Sequence, residues 1–558
     1  MQVSVKYKRW LSSTSLPPKQ ERFWAKLVAT EATKHADRSN HKVVTVRAGA
    51  SPSGPKHIGN MNDQVRGYFI RKSIDGAGRR SRHVLTSDDM DPLRTVPMRL
   101  PDGDGIWRKT EGRGKTILTK ALGKPVCLVE DPFGCHDSYA DHFTELMMED
   151  LRAIGVDLEL VYVSKLYEEG AYDSFIRRTL ERTASVRAVL SRFQSRISGN
   201  WVPLNPVCEE CGKLTTKVTS IDMDAGKVDY ECVDRVLHGE YRVRGCGHVG
   251  STDIRRTKLP WRLEWVADWQ IFETDIEPFG KEHYEGSWKS GVALAKEVYG
   301  FEPPVPLVYE FFLIDGQKMS SRMGNVYLIR DLLKIAEPEV IRFLYVKKPL
   351  VQRDIAVKKM SAVVSEFDEI ERLAYVGHGE RAQDAKVYYR YVLGEPKGSQ
   401  PYRLPYDLAT YVTRFYEPRI ALERLEGSGL MPRDLSNADR KRALERLTEA
   451  SNWNKMFARS PEVESSKIHE VDDPRILEGF RALQEELTRT HLGGDQLQEL
   501  LYKAARSAGV PSSEFFKEAY ELFIGQDSGP RLGNFLATLD RDYVLTRLRS
   551  VKLKPANR

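Results

Sequence analysis

The chain has 558 residues, 41% hydrophobic and 30% charged, with a formal net charge of +7 and a mean hydropathy of −0.47. That length calls for several domains with ample core, and no apolar run approaches the roughly 20 residues of a membrane helix, so no membrane partner is expected. The basic balance suits a polyanionic partner, and six cysteines in so long a chain exclude a disulfide scaffold and point to a reducing, cytoplasmic setting.

Residues 1–40 read as an N-terminal extension without a secretory apolar core, ending in a helix with Phe23, Leu27 and Val28 on its apolar side. From 41 to 170 strand and helix alternate. Val43, Val44, Thr45 and Val46 form a β-branched strand; Ile58, Met61, Val65 and Phe69 then recur at helical spacing until Gly76, and His83 to Thr86 is a second apolar strand. The turn between strand and helix, residues 50–60 (Ala-Ser-Pro-Ser-Gly-Pro-Lys-His-Ile-Gly-Asn), lies where a βαβ unit meets an anion at a helix N-terminus, although such a turn is also ordinary loop chemistry. Asp88, Asp89 and Asp91 follow the second strand at the ligand edge, within what is also a plain turn signal. Residues 102–113 read as an exposed loop, and Pro-Phe-Gly-Cys-His-Asp-Ser-Tyr-Ala-Asp-His (132–142) precedes a strongly amphipathic helix.

Residues 171–258 interrupt this pattern as an insertion. It opens with arginines 177, 178, 182, 187 and 192, which suit a nucleic acid backbone or simply a solvated face. Cys208 and Cys211 form a Cys-x-x-Cys-Gly knuckle, and Cys232 and Cys246 complete a tetrahedral set for one structural Zn2+, with His248 as an alternative to Cys232. The α/β pattern resumes over 259–330. On a helix, Trp261, Trp265 and Trp269 share one stripe with Glu264 and Asp268 beside it, an arrangement that is either core or a pocket for an alkylammonium group. A turn over 277–283, a strand-like run over 309–314 and Lys-Met-Ser-Ser-Arg-Met-Gly-Asn (318–325) follow. Beyond 330 helical periodicity dominates, as over 436–450, 473–491, 495–508 and 511–523, with 377–405 as a loop or linker.

The 50–60 turn and the 318–325 stretch resemble the HIGH and KMSKS signatures of class I aminoacyl-tRNA synthetases. With Ser-Asp-Asp-Met-Asp-Pro-Leu-Arg (87–94), Asp-Pro-Phe-Gly-Cys-His (131–136), Lys-Leu-Pro-Trp-Arg-x-x-Trp (258–265), Glu-Pro-Phe-Gly-Lys-x-His (277–283) and Gly-Pro-Arg-Leu-Gly (529–533), the chain resembles the class I lysyl-tRNA synthetases from about His41 to its C-terminus. The resemblance implies an α/β split Rossmann catalytic domain (41–170 and 259–330) with a zinc-bearing insertion, a stem-contact region (331–375) and a mainly α-helical anticodon-binding cage (376–558). It implies ATP, Mg2+ and Zn2+ as cofactors, L-lysine and tRNA(Lys) as partners, a monomer, and lysyl-adenylate as the intermediate, with tRNA present for the first step. His57 and Lys318 would be catalytic. Ser53, Gly54, His57, Gly59, Asn60, Gly280, Glu282, Lys318, Met319, Ser320 and Ser321 would bind ATP. Gly49, Ser51, Trp261, Glu264, Asp268, His283 and Tyr309 would bind lysine. Ser321 stands at the place of the second KMSKS lysine, Arg322 where the family more often has serine, and Glu282 where it commonly has aspartate. A class I enzyme for glutamate would need a cationic pocket in place of Glu264 and Asp268, and a non-catalytic tRNA-binding relative would have no need of His57 and Lys318.

Overall fold

The computed structural model describes residues 23–194, 197–237, 241–314, 316–319, 326–347, 349, 351–458, 467–490 and 492–555. Ser320 and Ser321 lie outside them, as do the first 22 residues. The chain divides into two compact units. The first ends at Asp331 and is joined by Ile341–Val357 and Gly379–Glu395; the second takes Leu332–Val340, Lys358–His378 and Pro396–Arg558.

The first unit is built on five strands, β1 (Val44–Ala50), β2 (Ser81–Ser87), β3 (Glu159–Tyr162), β4 (Thr274–Gly280) and β5 (Val305–Tyr309). They pair in the order β5-β4-β1-β2-β3, every pairing parallel. The order reverses at the β1–β4 junction, and in an open parallel sheet the crevice at the carboxyl ends of such strands is the ligand position. Both faces of β1 and β4 are covered, so even their charged residues, Arg47 in β1 and Asp275 and Glu277 in β4, are buried and must find partners within the protein. Helix α1 (Trp24–Arg38) is fastened to the opposite, amino end of these strands: His35 Nδ1 and His41 Nδ1 lie 2.8 and 2.9 Å from Asp275 Oδ1, while Asp275 Oδ2 accepts the Thr45 N–H at 2.8 Å. The extension thus belongs to the sheet unit from Phe23 onward.

Helix α2 (Asn62–Gly76) follows the first turn, α3 (Tyr139–Ala153) packs Tyr139, Phe143 and Leu146 into a local core, and α4 (Trp261–Ile271) carries the tryptophan stripe. The centroids of Trp261 and Trp265 are 5.3 Å apart and those of Trp265 and Trp269 5.2 Å. Between β3 and β4 the chain forms short helices and small antiparallel sheets, among them Lys227–Cys232 between Thr216–Asp222 and Val249–Asp253. The arginines there are largely used internally: Arg178 donates to Gln270, Arg182 to the Val298 carbonyl and Arg192 to Glu297. Two loop expectations give way to regular structure. Residues 99–109 contain the pair Arg99–Pro101 and Trp107–Lys109, and the 377–405 segment carries helix α5 (Glu380–Leu393). Flanking glycines obscured that helix; Tyr391 anchors it within the first unit, its ring tilted against Phe23 with centroids 4.3 Å apart and its hydroxyl hydrogen-bonded to Ser73 at 2.6 Å.

The second unit is helical, including Asn437–Phe457, Pro474–Arg489, Gly494–Ser507 and Ser512–Phe523, close to the periodic segments read from sequence. Its buried Arg446 donates to Glu337 at 2.6 Å, to Asp368 at 2.7 Å and to the Leu404 carbonyl at 2.8 Å.

Candidate active site

At the β1–β4 crevice lies a cavity of about 70 Å3. Alternation along β1 sends Arg47 and Gly49 to the same side, β4 contributes Glu277 and Phe279, Asp88 follows β2, and α4 presents Glu264 and Asp268. Gly49 is required by crowding: a Cβ there would stand 3.2 Å from Thr86 Oγ1 and 3.3 Å from both Arg47 Nη2 and Asp88 Oδ2.

Arg47 is the hub. Its guanidinium donates to Glu277 Oε1 at 2.8 Å, to Thr86 Oγ1 at 2.7 Å and to Asp268 Oδ2. Burial alone would lower its pKa, but the charges of Asp268, Glu277 and Asp88 outweigh that and raise it. Asp268 Oδ1 accepts from Tyr172 at 2.5 Å. Glu264 is held in parallel, accepting from Lys258 Nζ and, at 2.7 Å, from Tyr167. Trp265 Nε1 donates to Glu277 Oε1 at 2.8 Å. Burial pushes Glu264 and Glu277 up to about 7, opposed by Lys258 and Arg47 respectively, and Asp88 up to about 8 against Arg47.

Of the expected lysine-site residues, Gly49, Trp261, Glu264, Asp268 and His283 line this cavity, whereas Ser51 and Tyr309 are not part of its lining. Trp261 packs 5.3 Å from Trp265 and 5.5 Å from His283, Tyr309 ends β5 as a buried residue, and the Ser51 hydroxyl lies beside Asp91. Glu264 and Asp268 reach the cavity, yet each of their four oxygens already accepts from a neighbour. Arg47, Asp63, Tyr167, Tyr172, Lys258 and Glu277 were not singled out. The available signal was a charged residue among strand-forming residues, at Arg47 in β1 and Glu277 in β4, although β4 also carries Asp275.

Beside the cavity the two signature stretches meet. A Cβ on Gly59 would lie 2.8 Å from the Met319 terminal methyl, and the Ile58 N–H donates to the Tyr327 carbonyl at 3.0 Å. The helix begins at Asn62 rather than at Ile58. The N–H groups of Gly59 and Asn60 turn back on His57, Nδ1 accepting from Gly59 at 3.1 Å and the carbonyl from Asn60 at 2.8 Å. These three N–H groups therefore have internal acceptors, and the expected helix-terminal cradle over 58–60 is not formed. An Nδ1 that accepts places the ring proton on Nε2, and burial, with the charges of Lys56 and Lys318, pushes His57 down to about 4, so it is a neutral donor near pH 7. Lys318 Nζ sits 3.9 Å from the centre of the Phe311 ring. Gly280 closes β4 with Glu282 folded back over it: a Cβ there would clash with the Glu282 carboxylate at 2.4 Å. Ser53 offers its carbonyl to Tyr139 at 3.1 Å, and Gly54 adopts φ +156°.

Besides the trio His35, His41 and Asp275 at the amino end of the sheet, two four-residue clusters among the described residues have the chemistry of metal ligands. The sulfurs of Cys208, Cys211, Cys232 and Cys246 lie within 4.8 Å of one another, with Cys208–Cys246 at 3.6 Å and Cys211–Cys232 at 3.7 Å. A tetrahedron of Zn–S bonds has edges of about 3.8 Å. His248 is outside the group, its ring turned over Gly250 and Tyr230. The second cluster, which the sequence did not announce as such, joins Asp131, Cys135, His136 and His142. Cys135 Sγ lies 3.2 Å from Asp131 Oδ2, 3.3 Å from His142 Nδ1 and 3.2 Å from His136 Nδ1. His142 Nε2 donates to the Pro101 carbonyl at 3.0 Å, which leaves Nδ1 as a lone-pair donor facing the cluster, the usual support of a metal-binding imidazole.

Comparison with known proteins matches residues 22–395 to the family described as tRNA synthetases class I (K). A lysine–tRNA ligase of Haloarcula marismortui is 38% identical over 94% of this chain and 97% of its own, and one of Natronomonas pharaonis is 38% identical over 94% and 97%. That of Pyrococcus horikoshii is 32% identical over 94% of this chain and 99% of its own length. With a parallel sheet reversing at the β1–β4 junction, a crevice at that point and both signature stretches beside it, the chain belongs to the class I (K) family of tRNA synthetases.

Proposed function

We propose that the protein attaches L-lysine to tRNA(Lys), first forming lysyl-adenylate and pyrophosphate from lysine and ATP and then passing the lysyl group to the terminal adenosine of the tRNA. The observation that carries this over a glutamate enzyme is the charge of the cavity. Arg47 is committed to Asp268 and Glu277, Lys258 to Glu264, and buried Lys56 acts on Asp63 and Asp88, but the cavity lining itself sets the carboxylates of Asp63, Asp88, Glu264, Asp268 and Glu277 against Arg47, so the site accepts a cationic side chain and repels an anionic one. Gly49, Ser51, Trp261, His283 and Tyr309 form the lysine site, with Glu264 and Asp268 fixed in its wall by Lys258 and Arg47.

Adenylation is an in-line attack of a carboxylate on the α-phosphate, so the protein orients reactants and offsets growing charge on phosphate oxygens. His57, as an Nε2 donor, and Lys318 from the opposite stretch serve this. Ser53, Gly54, Gly59, Asn60, Gly280, Glu282 and Met319, with Ser320 and Ser321, hold ATP, and Mg2+ enters with the nucleotide. Residues 331–375 contact the tRNA stem and the helical part of 376–558 its anticodon, in a cytoplasmic monomer. Cys208, Cys211, Cys232 and Cys246 hold a structural Zn2+, four thiolates leaving no open coordination position. Asp131, Cys135, His136 and His142 hold a second, whose role next to α3 is likewise to fix the fold. Among the described residues no helix is long and apolar enough to cross a membrane.

Pyrophosphate exchange with lysine or glutamate, with and without unfractionated tRNA, tests the reading. Exchange dependent on lysine supports it, exchange dependent on glutamate replaces it with the alternative, and none with either overturns catalysis.

A further inference from the structure

We propose that the ε-ammonium of the lysine substrate is bound by Glu277 and Asp63, each of which lines the cavity and has a carboxylate oxygen with no donor among the described residues, rather than by Glu264 or Asp268. This rests on the reading that the cavity takes lysine.

The inference comes from counting donors. Glu264 has Lys258 on one oxygen and Tyr167 on the other, and Asp268 has Arg47 and Tyr172. Glu277 is different: Oε1 receives both Arg47 and Trp265, and Oε2, buried, receives nothing. Asp63, in the first turn of α2, also has a buried oxygen, Oδ1, with no partner. Both residues line the cavity, one from β4 and one from α2, and lie close enough that the charge of Glu277 raises the pKa of Asp63.

A buried carboxylate oxygen without a donor is costly, and two residues with such an oxygen line this one cavity, where Lys56 acts on Asp63 but no cation donates to Glu277 Oε2 among the described residues. An ammonium fits because it carries three donors on a compact head, enough for Glu277 Oε2, Asp63 Oδ1 and one further acceptor. The fixed rotamer of Glu277, gripped by Arg47 and Trp265, sets the depth at which the charge is read, so a side chain one methylene shorter leaves both oxygens short of a donor. Arg47 has a second purpose in this arrangement: by neutralising Asp268 and one side of Glu277 it leaves room for a single added cation.

The test measures tRNA-dependent pyrophosphate exchange for wild type, Glu277→Gln, Glu277→Asp and Asp63→Asn, with norleucine, in which a methyl group replaces the ammonium, as a competitive inhibitor. In Glu277→Gln the remaining oxygen keeps Arg47 and Trp265 while an NH2 faces the ammonium. The lysine KM should rise about 50-fold or more in this variant and about tenfold in Asp63→Asn, with the ATP KM and the norleucine Ki within about threefold of wild type. Glu277→Asp, which keeps the charge, should fall between. A lysine KM unchanged in both neutral variants, or lysine and norleucine weakened alike, overturns the proposal. Should Glu277→Gln fail to fold, Asp63, which is less completely buried, decides alone. Wild-type protein without lysine-dependent exchange would remove the parent reading itself, an outcome separate from variants that leave lysine binding untouched.

Discussion

Arg47 Nη1 donates to Glu277 Oε1 at 2.8 Å, joining the two strands between which the sheet reverses its order. The pair is buried, each side chain 2% exposed, so its partners depend on one another for charge compensation. Replacing Arg47 with methionine keeps the volume but leaves Asp268 and Glu277 facing each other without a cation. Such uncompensated burial costs about 3–5 kcal/mol, to be read as a lower urea midpoint. Arg47→Lys should recover only part of this, since one ammonium cannot span Asp268, Glu277 and Thr86 as the planar fork does. Equal stability of wild type and Arg47→Met would mean that the network is not the anchor of the crevice.

Lys318 belongs to the stretch that meets the 50–60 turn, with Met319 against Gly59. If its ammonium meets phosphate oxygens as charge develops on them, Lys318→Ala should lower kcat at least about 100-fold while shifting the lysine KM less than about threefold. Single-turnover adenylate formation separates this from slow product release. An unchanged kcat rules out the assigned role.

The pH dependence follows from Glu277. Burial raises its carboxyl to about 7 in the unliganded protein, so it is ionised above that pH and protonated below. Lysine stays cationic throughout, its ammonium titrating near pH 10.4. The kcat/KM for lysine should therefore fall as the pH drops through about 8, where Asp88 takes up its proton, and further through about 7 with Glu277 and Glu264, Asp63 adding to the fall and Arg47, Lys56 and Lys258 moderating it. His57, already neutral above about pH 4, adds no inflexion in this range. In Glu277→Gln the limb should flatten; the same limb in wild type and variant would assign it to another group.

How much was legible follows from where each signal resides. The strand and helix around the 50–60 turn, the tryptophan stripe of α4 and the four-cysteine knuckle are local patterns of period or spacing, and each was found at its place. Arg47 and Asp268, by contrast, are 221 positions apart, and nothing in either neighbourhood announces the other. The same holds for Tyr167 and Tyr172, whose hydroxyls fill the oxygens of Glu264 and Asp268 from a segment that reads as the entry to an insertion. Helix α5 was hidden because Gly379 and Gly394 flank a polar, tyrosine-rich run whose partners, Phe23 and Ser73, come from the first part of the chain. The start of α2 was misplaced by one turn because Ile58 and Met61 fit the helical period although His57 diverts the intervening N–H groups.

The two ligand clusters give the last prediction. Four thiolates at tetrahedral edge distances form one set; a carboxylate, a thiolate and two imidazoles form the other, a mixture suited to Zn2+. Protein purified under reducing conditions without chelator should contain about two zinc ions per chain by elemental analysis. Cys211→Ser should remove one and Cys135→Ser the other, while His248→Ala, lying outside the sulfur cluster, should retain both. Because Pro101 holds His142 through Nε2 and the cluster packs against α3, losing the second ion should loosen the 99–109 hairpin, seen as faster amide exchange there with the knuckle unaffected. A zinc content of one that Cys211→Ser abolishes and Cys135→Ser leaves intact would show that the Asp131 cluster is a hydrogen-bonded network only, and His248→Ala losing metal would redraw the knuckle.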